Sequence, residues 1–261
     1  MTAPSPSLAP PELASKIARL NDALSSAAER FPRIKLASSL AAEDMLLTHA
    51  ILSNNLSVAI FSLNTGRLHK ETLGMVDAVR DRYGYEIEQF HPIPSVVDDY
   101  VKNHGVNGFY ESVELRKSCC GIRKVEPLGR ALAGADAWMT GQRQSQSATR
   151  TDLEEEEIDA MRGIAKFNPL AFWSESEVWA YLTAFAVPVN PLHARGYPSI
   201  GCEPCTRAIR PEEDSRAGRW WWESIDSKEC GLHVSAPIPF PVRVVASQND
   251  VVSNAFPRSA R

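Results

Sequence analysis

Short apolar runs alternate with segments of helical spacing through the first half of the chain. Between residues 11 and 29 the apolar positions Leu13, Ile17, Leu20 and Leu24 recur at three- and four-residue intervals, which predicts an amphipathic first helix. Apolar runs at 34–37, 58–61, 85–90 and 137–139 then predict strands, and the segments 42–52, 69–83, 96–103 and 120–132 between them predict helices. Strands that alternate with helices predict an α/β fold built on a parallel sheet covered on both faces. Such sheets bind ligands beyond the carboxyl ends of their strands, so the loops after each run are the places to search for chemistry. Two stretches break the pattern. The acidic run 154–157, beside the polar segment 142–151, reads as a solvated face or mobile loop. The stretch 234–261 carries four prolines and few charges and reads as an extended tail. The expected organisation is a disordered leader at 1–11, an α/β domain at 12–205, a C-terminal segment at 206–233 and the tail.

Composition narrows the class. The 261 residues are 44% hydrophobic and 23% charged, enough to bury a substantial core. No run approaches the roughly 18 apolar residues of a membrane-spanning helix, and the first residues lack the basic and apolar regions of an export signal. Five cysteines are too sparse for a disulfide scaffold, so the expected setting is a reducing cytoplasm. With 28 basic against 32 acidic residues, net charge makes no case for nucleic acid as a partner.

The strand-end loops carry candidate anion ligands. The first runs into Ser38 and Ser39 at the start of a helix, where free N–H groups and the positive dipole end suit a phosphate or sulfate; Ser39 acting only as an ordinary helix cap is the plainer alternative. The second ends in Asn64-Thr65-Gly66-Arg67 and the fourth in Thr140-Gly141-Gln142-Arg143, with Arg150 following. Three of four strand ends thus combine Gly or Ser with polar donors, as a nucleotide site needs.

The cysteines divide into two sets. Cys119 and Cys120 are adjacent, and Cys202 and Cys205 form a C-x-x-C pair about eighty residues later. The spacing does not fit an isolated zinc ribbon, and on chemistry alone a [4Fe–4S] cluster and a four-cysteine zinc site assembled across the fold stand level. Lys124, four residues after Cys120, would share a helix face with it and could offset an anionic cluster. Cys230 stands apart in Lys228-Glu229-Cys230-Gly231-Leu232-His233, a polar setting in which Lys228 and His233 could stabilise a nucleophilic thiolate. Arg207, Arg210, Arg216 and Arg219 form a basic cluster suited to an anion or to a solvated helix face. The run Trp220-Trp221-Trp222 favours packing over holding a base.

Four segments together resemble a known family: Lys117-Ser118-Cys119-Cys120-Gly121-Ile122-Arg123-Lys124, Gly201-Cys202-Glu203-Pro204-Cys205-Thr206-Arg207, Arg216-Ala217-Gly218-Arg219-Trp220-Trp221-Trp222-Glu223 and Glu229-Cys230-Gly231-Leu232-His233. They are similar to the assimilatory adenylyl-sulfate reductases, within the larger family that includes the phosphoadenylyl-sulfate reductases. The resemblance covers nearly all of 34–233. It implies a fold related to the adenine-nucleotide alpha hydrolases, with Ser38 and Ser39 in a modified pyrophosphate loop and a [4Fe–4S] cluster on Cys119, Cys120, Cys202 and Cys205. It further implies that Cys230 attacks the sulfur of adenylyl sulfate, that AMP leaves, and that thioredoxin releases sulfite from the S-sulfocysteine. Thr65, Gly66, Gly141 and Arg150 resemble the family's substrate loops, and Lys124, Arg216 and Arg219 its phosphosulfate contacts. The charge logic agrees, since a doubly anionic phosphosulfate repels a thiolate unless cations neutralise it.

Asn64 stands where an acidic residue is common in the family, and the tail after His233 is longer than usual; the tail is expected to lie away from the active site. The alternatives are a phosphoadenylyl-sulfate or dual-substrate reductase, an ATP-cleaving ligase of the same fold, and a non-catalytic iron–sulfur or zinc protein. The paired cysteines favour adenylyl sulfate over the first. The missing Ser-Gly-Gly-x-Asp-Ser loop weighs against the second, and the Cys230 segment against the third. A homo-oligomer is compatible with the sequence.

Overall fold

The computed structural model describes residues 11–146, 152–224 and 232. Its centre is a six-stranded sheet: β1 Ile34–Ala37, β2 Ala59–Leu63, β3 Glu88–Phe90, β4 Ala137–Met139, β5 Glu156–Asp159 and β6 Ile164–Phe167, in the order β3-β2-β1-β4-β6-β5. All pairs are parallel except β5 with β6, whose register runs Glu156 against Phe167 and Asp159 against Ile164. The helices are α1 Pro11–Arg30, α2 Ala42–Ser53, α3 Lys70–Tyr83, α4 Pro94–His104, α5 Val113–Cys120, α6 Glu126–Ala131 and α7 Glu175–Ala184. The chain steps outward through β1, β2 and β3, then returns to place β4 on the other side of β1. The β1/β4 boundary is therefore the point where the winding reverses, and a crevice opens there beyond the strand ends.

Burial explains the agreement with the periodic pattern. Leu13, Ile17, Leu20 and Leu24 are all buried on one face of α1. The middle of α2 is buried on every side, from Asp44 to Ile51, as a helix packed inside the layers must be. The α/β expectation holds, with three differences. The acidic run does not end as a loop: Glu156 and Glu157 enter edge strand β5, where Glu156 pairs with Arg30 at 2.7 Å and Glu157 with Lys166 at 2.8 Å, so the polar side chains are satisfied across the edge. Helix α7 forms behind a capping box, Ser174 accepting from Glu177 N–H, that its weak periodicity hides. The helix expected at 120–132 begins earlier, because Ser112 caps α5 by accepting from Leu115 N–H. It continues through a widened π-type turn at Gly121–Val125 into α6. Cys119 and Cys120 thus close α5 rather than open a helix.

A buried histidine sets an acid limit. His49 on α2 lies at 2.8 Å from the Tyr181 hydroxyl and packs on Phe185 with ring centroids 5.1 Å apart. Burial, helped by the charge of Arg82, lowers its pKa to about 4. Above pH 6.5 it is neutral folded and unfolded; between 6.5 and 4 only the unfolded chain takes the proton, so stability is lost as pH falls through that window. The loss is on the order of 3 kcal/mol. Urea unfolding of the protein and a His49→Phe variant checks it: the difference in stability between them should shift by that amount against the wild type from pH 7 to pH 4. A constant difference would remove His49 from the account.

Candidate active site

The loops after β1, β2 and β4 surround a cleft of about 440 Å³ at the point of reversed winding. One carboxylate joins two of them. Asp44, in the first turn of α2, accepts from Ser39 N–H at 2.7 Å and from the Ser39 hydroxyl through one oxygen, and from Gly141 N–H at 3.0 Å through the other. Burial raises the Asp44 pKa to about 6, with the Glu43 charge adding and these donors opposing. Ser39 is consequently not the helix cap. The cap position is Ala41, without a side-chain bond, and Ala42 N–H donates to His193 Nε2 at 3.2 Å from across the cleft. Burial lowers the His193 pKa, consistent with an imidazole whose Nε2 is an acceptor.

Gly141 fits because it lacks a side chain. A Cβ there would overlap Asp44 Oδ1 and lie 2.8 Å from Glu43 Cβ. Gly141→Ala is expected to push the two loops apart and destabilise the fold by about 1–3 kcal/mol, as overpacking typically does. Urea unfolding of the variant checks this, and unchanged stability would contradict it.

The cleft collects Ser38, Ser39, Thr65, Lys124, Gly141, Arg216 and Arg219 from the expected set. Gly66 is not on its wall; with φ at +70° it turns the β2 loop beneath Arg123, whose guanidinium donates to Thr65 O at 2.8 Å. Arg150 and Cys230 lie outside the described residues, as do 1–10 and 234–261. Leu232 is described and lines the cleft, packed against the cluster that contains Phe61, Leu128 and Trp138.

The basic segment is not a solvated helix face. Arg207 pairs with Glu213 at 2.6 Å, whereas Arg219 is buried, donating to Ser199 Oγ at 3.2 Å and Ile200 O at 3.3 Å with its guanidinium 4.7 Å from the centre of the Trp220 ring. Gly201 admits it, since a Cβ there would stand 2.5 Å from the guanidinium. The tryptophans divide: Trp220 is buried, Trp222 half-buried and Trp221 exposed.

Beside the cleft, Cys119, Cys120, Cys202 and Cys205 line one small pocket with Arg67, Arg116, Arg123 and Lys124. Lys124 also lines the cleft, so it stands between the two spaces. The Thr65 hydroxyl lies 3.3 Å from Cys202 Sγ. Burial, with the neighbouring sulfur of Cys202 adding, pushes the Cys205 thiol up to about 12; burial also raises Cys119, against the opposing pull of Arg123. Buried thiols of this kind ionise when a metal draws them. Among the described residues no three metal-ligating side chains are grouped to hold a single ion. Four soft donors from two segments, ringed by cations, fit a larger anionic group.

Several site residues escape a reading of the sequence. Asp44 and Glu43 look like ordinary first-turn acids, and the strand-end loop that offers Arg143 as a donor gives no sign that its guanidinium pairs with Glu43 at 3.0 Å. Arg116 is fully buried against Glu223, 107 residues away, and no local signal announces such a partner.

A protein of Burkholderia cepacia described as adenosine 5'-phosphosulfate reductase is 71% identical over 236 residues, covering 90% of this chain and 94% of that one. The crystal structure of phosphoadenylyl-sulfate reductase from Candida auris, a phosphate complex, superposes with a TM-score of 0.62 at 27% identity over 73% of this chain and 90% of that one. Yeast FAD synthetase shares the fold alone, with a TM-score of 0.52 at 13% identity over 76% of this chain and 67% of that one. Residues 33–208 match the family described as phosphoadenosine phosphosulfate reductase domain. With that match spanning the sheet, the strand-end loops of the cleft and all four pocket cysteines, the chain belongs to the adenylyl-sulfate and phosphoadenylyl-sulfate reductase family.

Proposed function

We propose that this protein is an oxidoreductase of sulfate assimilation that reduces adenosine 5'-phosphosulfate to sulfite and AMP, with Cys230 as nucleophile and thioredoxin as donor. The observation that carries the reading is the convergence in one cleft of the β1, β2 and β4 loops with the cations Lys124, Arg216 and Arg219. The loops suit a nucleotide phosphate, and the cations suit the sulfate beyond it. Leu232, two residues after Cys230 in the chain, lines the same cleft and so supports delivery of the thiolate there.

In the first step the Cys230 thiolate forms a bond to the substrate sulfur as the sulfur–oxygen bond to the phosphate breaks. The electron pair leaves on the phosphate oxygen of AMP, and the three cations offset the charge that the thiolate meets. In the second, one thiolate of a dithiol thioredoxin attacks Cys230 Sγ and displaces sulfite; its second thiol then closes the donor's disulfide and returns the Cys230 thiol. The two electrons come from the dithiol. Cys119, Cys120, Cys202 and Cys205 would hold a [4Fe–4S] cluster, which when bound supplies a fixed, sulfur-rich charge behind Lys124 that orders the site. Ser38, Ser39, Thr65, Gly66, Gly141 and Arg150 belong to the substrate loops in this reading. No helix among the described residues is long and apolar enough to cross a membrane, and a reducing cytoplasm suits the thiol chemistry.

Incubating anaerobically purified protein with each sulfated nucleotide and no reductant tests the reading by intact-mass analysis. One sulfonate on Cys230, formed faster from adenosine 5'-phosphosulfate than from the 3'-phosphorylated nucleotide, is expected. Failure of either nucleotide to label Cys230 would sink the mechanism.

A further inference from the structure

The segment that leads toward Cys230 is joined to the thiol-bearing helix by a buried ion pair. Arg116 stands on α5 four residues before Cys120, with a side chain 0% exposed, and Glu223 faces it at 3%. The pairing is bidentate: Arg116 Nε donates to Glu223 Oε1 at 2.9 Å and a terminal nitrogen donates to Oε2 at 2.8 Å. The Arg116 guanidinium also lies 4.7 Å from the centre of the Trp220 ring, the same distance at which Arg219 of the cleft meets that ring. Trp220 N–H donates to Cys205 O at 3.1 Å, and Glu223 N–H to Trp220 O at 2.9 Å. One short stretch, Arg219 to Glu223, thus touches the cleft, the C-x-x-C loop and α5. Trp220 holds a left-handed backbone there, with φ at +41°, which a bulky side chain adopts only where its surroundings enforce it.

A buried ion pair is a poor source of stability, because apolar residues of similar volume do as well or better. What it does supply is a single, directional seating. Cys230 lies seven positions after Glu223, a stretch that reaches at most about 25 Å, so the point where Glu223 is fastened bounds where the thiolate can go. We infer that Glu223 is a positioning residue for the reaction: its pairing with Arg116 latches the Cys230-bearing segment to the helix that carries Cys119 and Cys120, so that a correctly formed thiol pocket aligns the nucleophile. This inference rests on the assignment of Cys230 above.

The test compares Glu223→Gln, which keeps volume and one acceptor, with the wild-type holoenzyme. Iron and labile sulfide per chain and AMP affinity should stay within about twofold, while single-turnover labelling of Cys230 slows about tenfold, as loss of alignment rather than of binding requires. Tryptic cleavage after the buried Arg219 should accelerate about tenfold as the stretch detaches. Glu223→Asp, which keeps the charge but shortens its reach, should fall between the two and carries the same comparison if Glu223→Gln fails to fold. Wild-type rates of both labelling and cleavage would overturn the latch, and so would loss of iron in step with labelling, which would make the pair a support of the pocket alone. Absence of sulfonate on Cys230 in the wild type would overturn the nucleophile assignment instead, and the cleavage rates would still judge the latch.

Discussion

With Cys230 as the proposed nucleophile, replacing it with serine is expected to abolish turnover, by at least about 10⁴-fold, while AMP affinity and iron per chain stay unchanged. The size of the effect follows from the chemistry of the two side chains. A cysteine is partly ionised near neutral pH and its thiolate is intrinsically a strong nucleophile, whereas a serine hydroxyl needs an adjacent general base to act at all. In the proposed reaction thiolate chemistry also carries the second half, since thiol–disulfide exchange at Cys230 Sγ would free sulfite, and an oxygen ester would offer no such exit. The spared properties are as diagnostic as the lost one. The four cysteines that line the pocket beside Lys124 are Cys119, Cys120, Cys202 and Cys205. A serine at 230 should leave all four in place, together with the Asp44 junction between the β1 and β4 loops. Steady-state assays with thioredoxin, iron analysis and titration with AMP check the three expectations. Loss of iron in the serine variant would show that the cysteines had been wrongly divided.

Arg219→Ala is expected to lower kcat/KM by 10² to 10³, about 3–4 kcal/mol of transition-state stabilisation, in line with removal of one preorganised donor from a charge-stabilising site. The fold holds Arg219 rigidly, as that proposed role requires. It is 7% exposed, is fastened to Ser199 and Ile200 O, lies over Trp220, and occupies the space that Gly201 leaves by having no Cβ. A guanidinium fixed in this way does not reorganise as charge moves from the thiolate to the departing phosphate. The contrast between ligands separates this role from a structural one. AMP lacks the sulfate, so its affinity should change less than about threefold, whereas capture of the sulfated substrate falls steeply. Arg219→Lys keeps a charge without the fork and should recover only part of the loss. An equal loss of AMP affinity would mean that the variant has deformed the cleft, and no loss at all would remove Arg219 from the chemistry.

Much of the fold is legible along the chain because its causes are local. A period-3.6 apolar pattern reports the buried face of α1, and short apolar runs bounded by polar turns mark the central strands, whereas α2 is buried nearly all round. Edge strand β5 is hidden because its polar side chains find partners across space: Glu156 on Arg30 and Glu157 on Lys166. The start of α5 turns on one hydroxyl, Ser112, and so the two adjacent cysteines sit a full helix later than periodicity alone implies.

The candidate site divides along the same physical line. Residue chemistry and spacing on their own set two close cysteine pairs apart from the lone Cys230, identify the loops that follow the strands, and point to Lys124 and to the cluster of Arg207, Arg210, Arg216 and Arg219; only the family resemblance narrows these cations to Lys124, Arg216 and Arg219. Those properties belong to short stretches of chain. Whether the pieces meet depends on contacts between residues a hundred or more positions apart, which no local pattern encodes. The strand order places β1 beside β4, and Asp44 can therefore bind both Ser39 and Gly141. The same packing brings Lys124 between the cleft and the thiol pocket, turns Gly66 off the cleft wall, and pairs Arg116 with Glu223. Burial then changes the character of the groups it encloses, raising the Cys205 thiol to about 12 and the Asp44 carboxyl to about 6. A sequence lists donors and charges; their distances and their separation from water arise only when the chain closes around them.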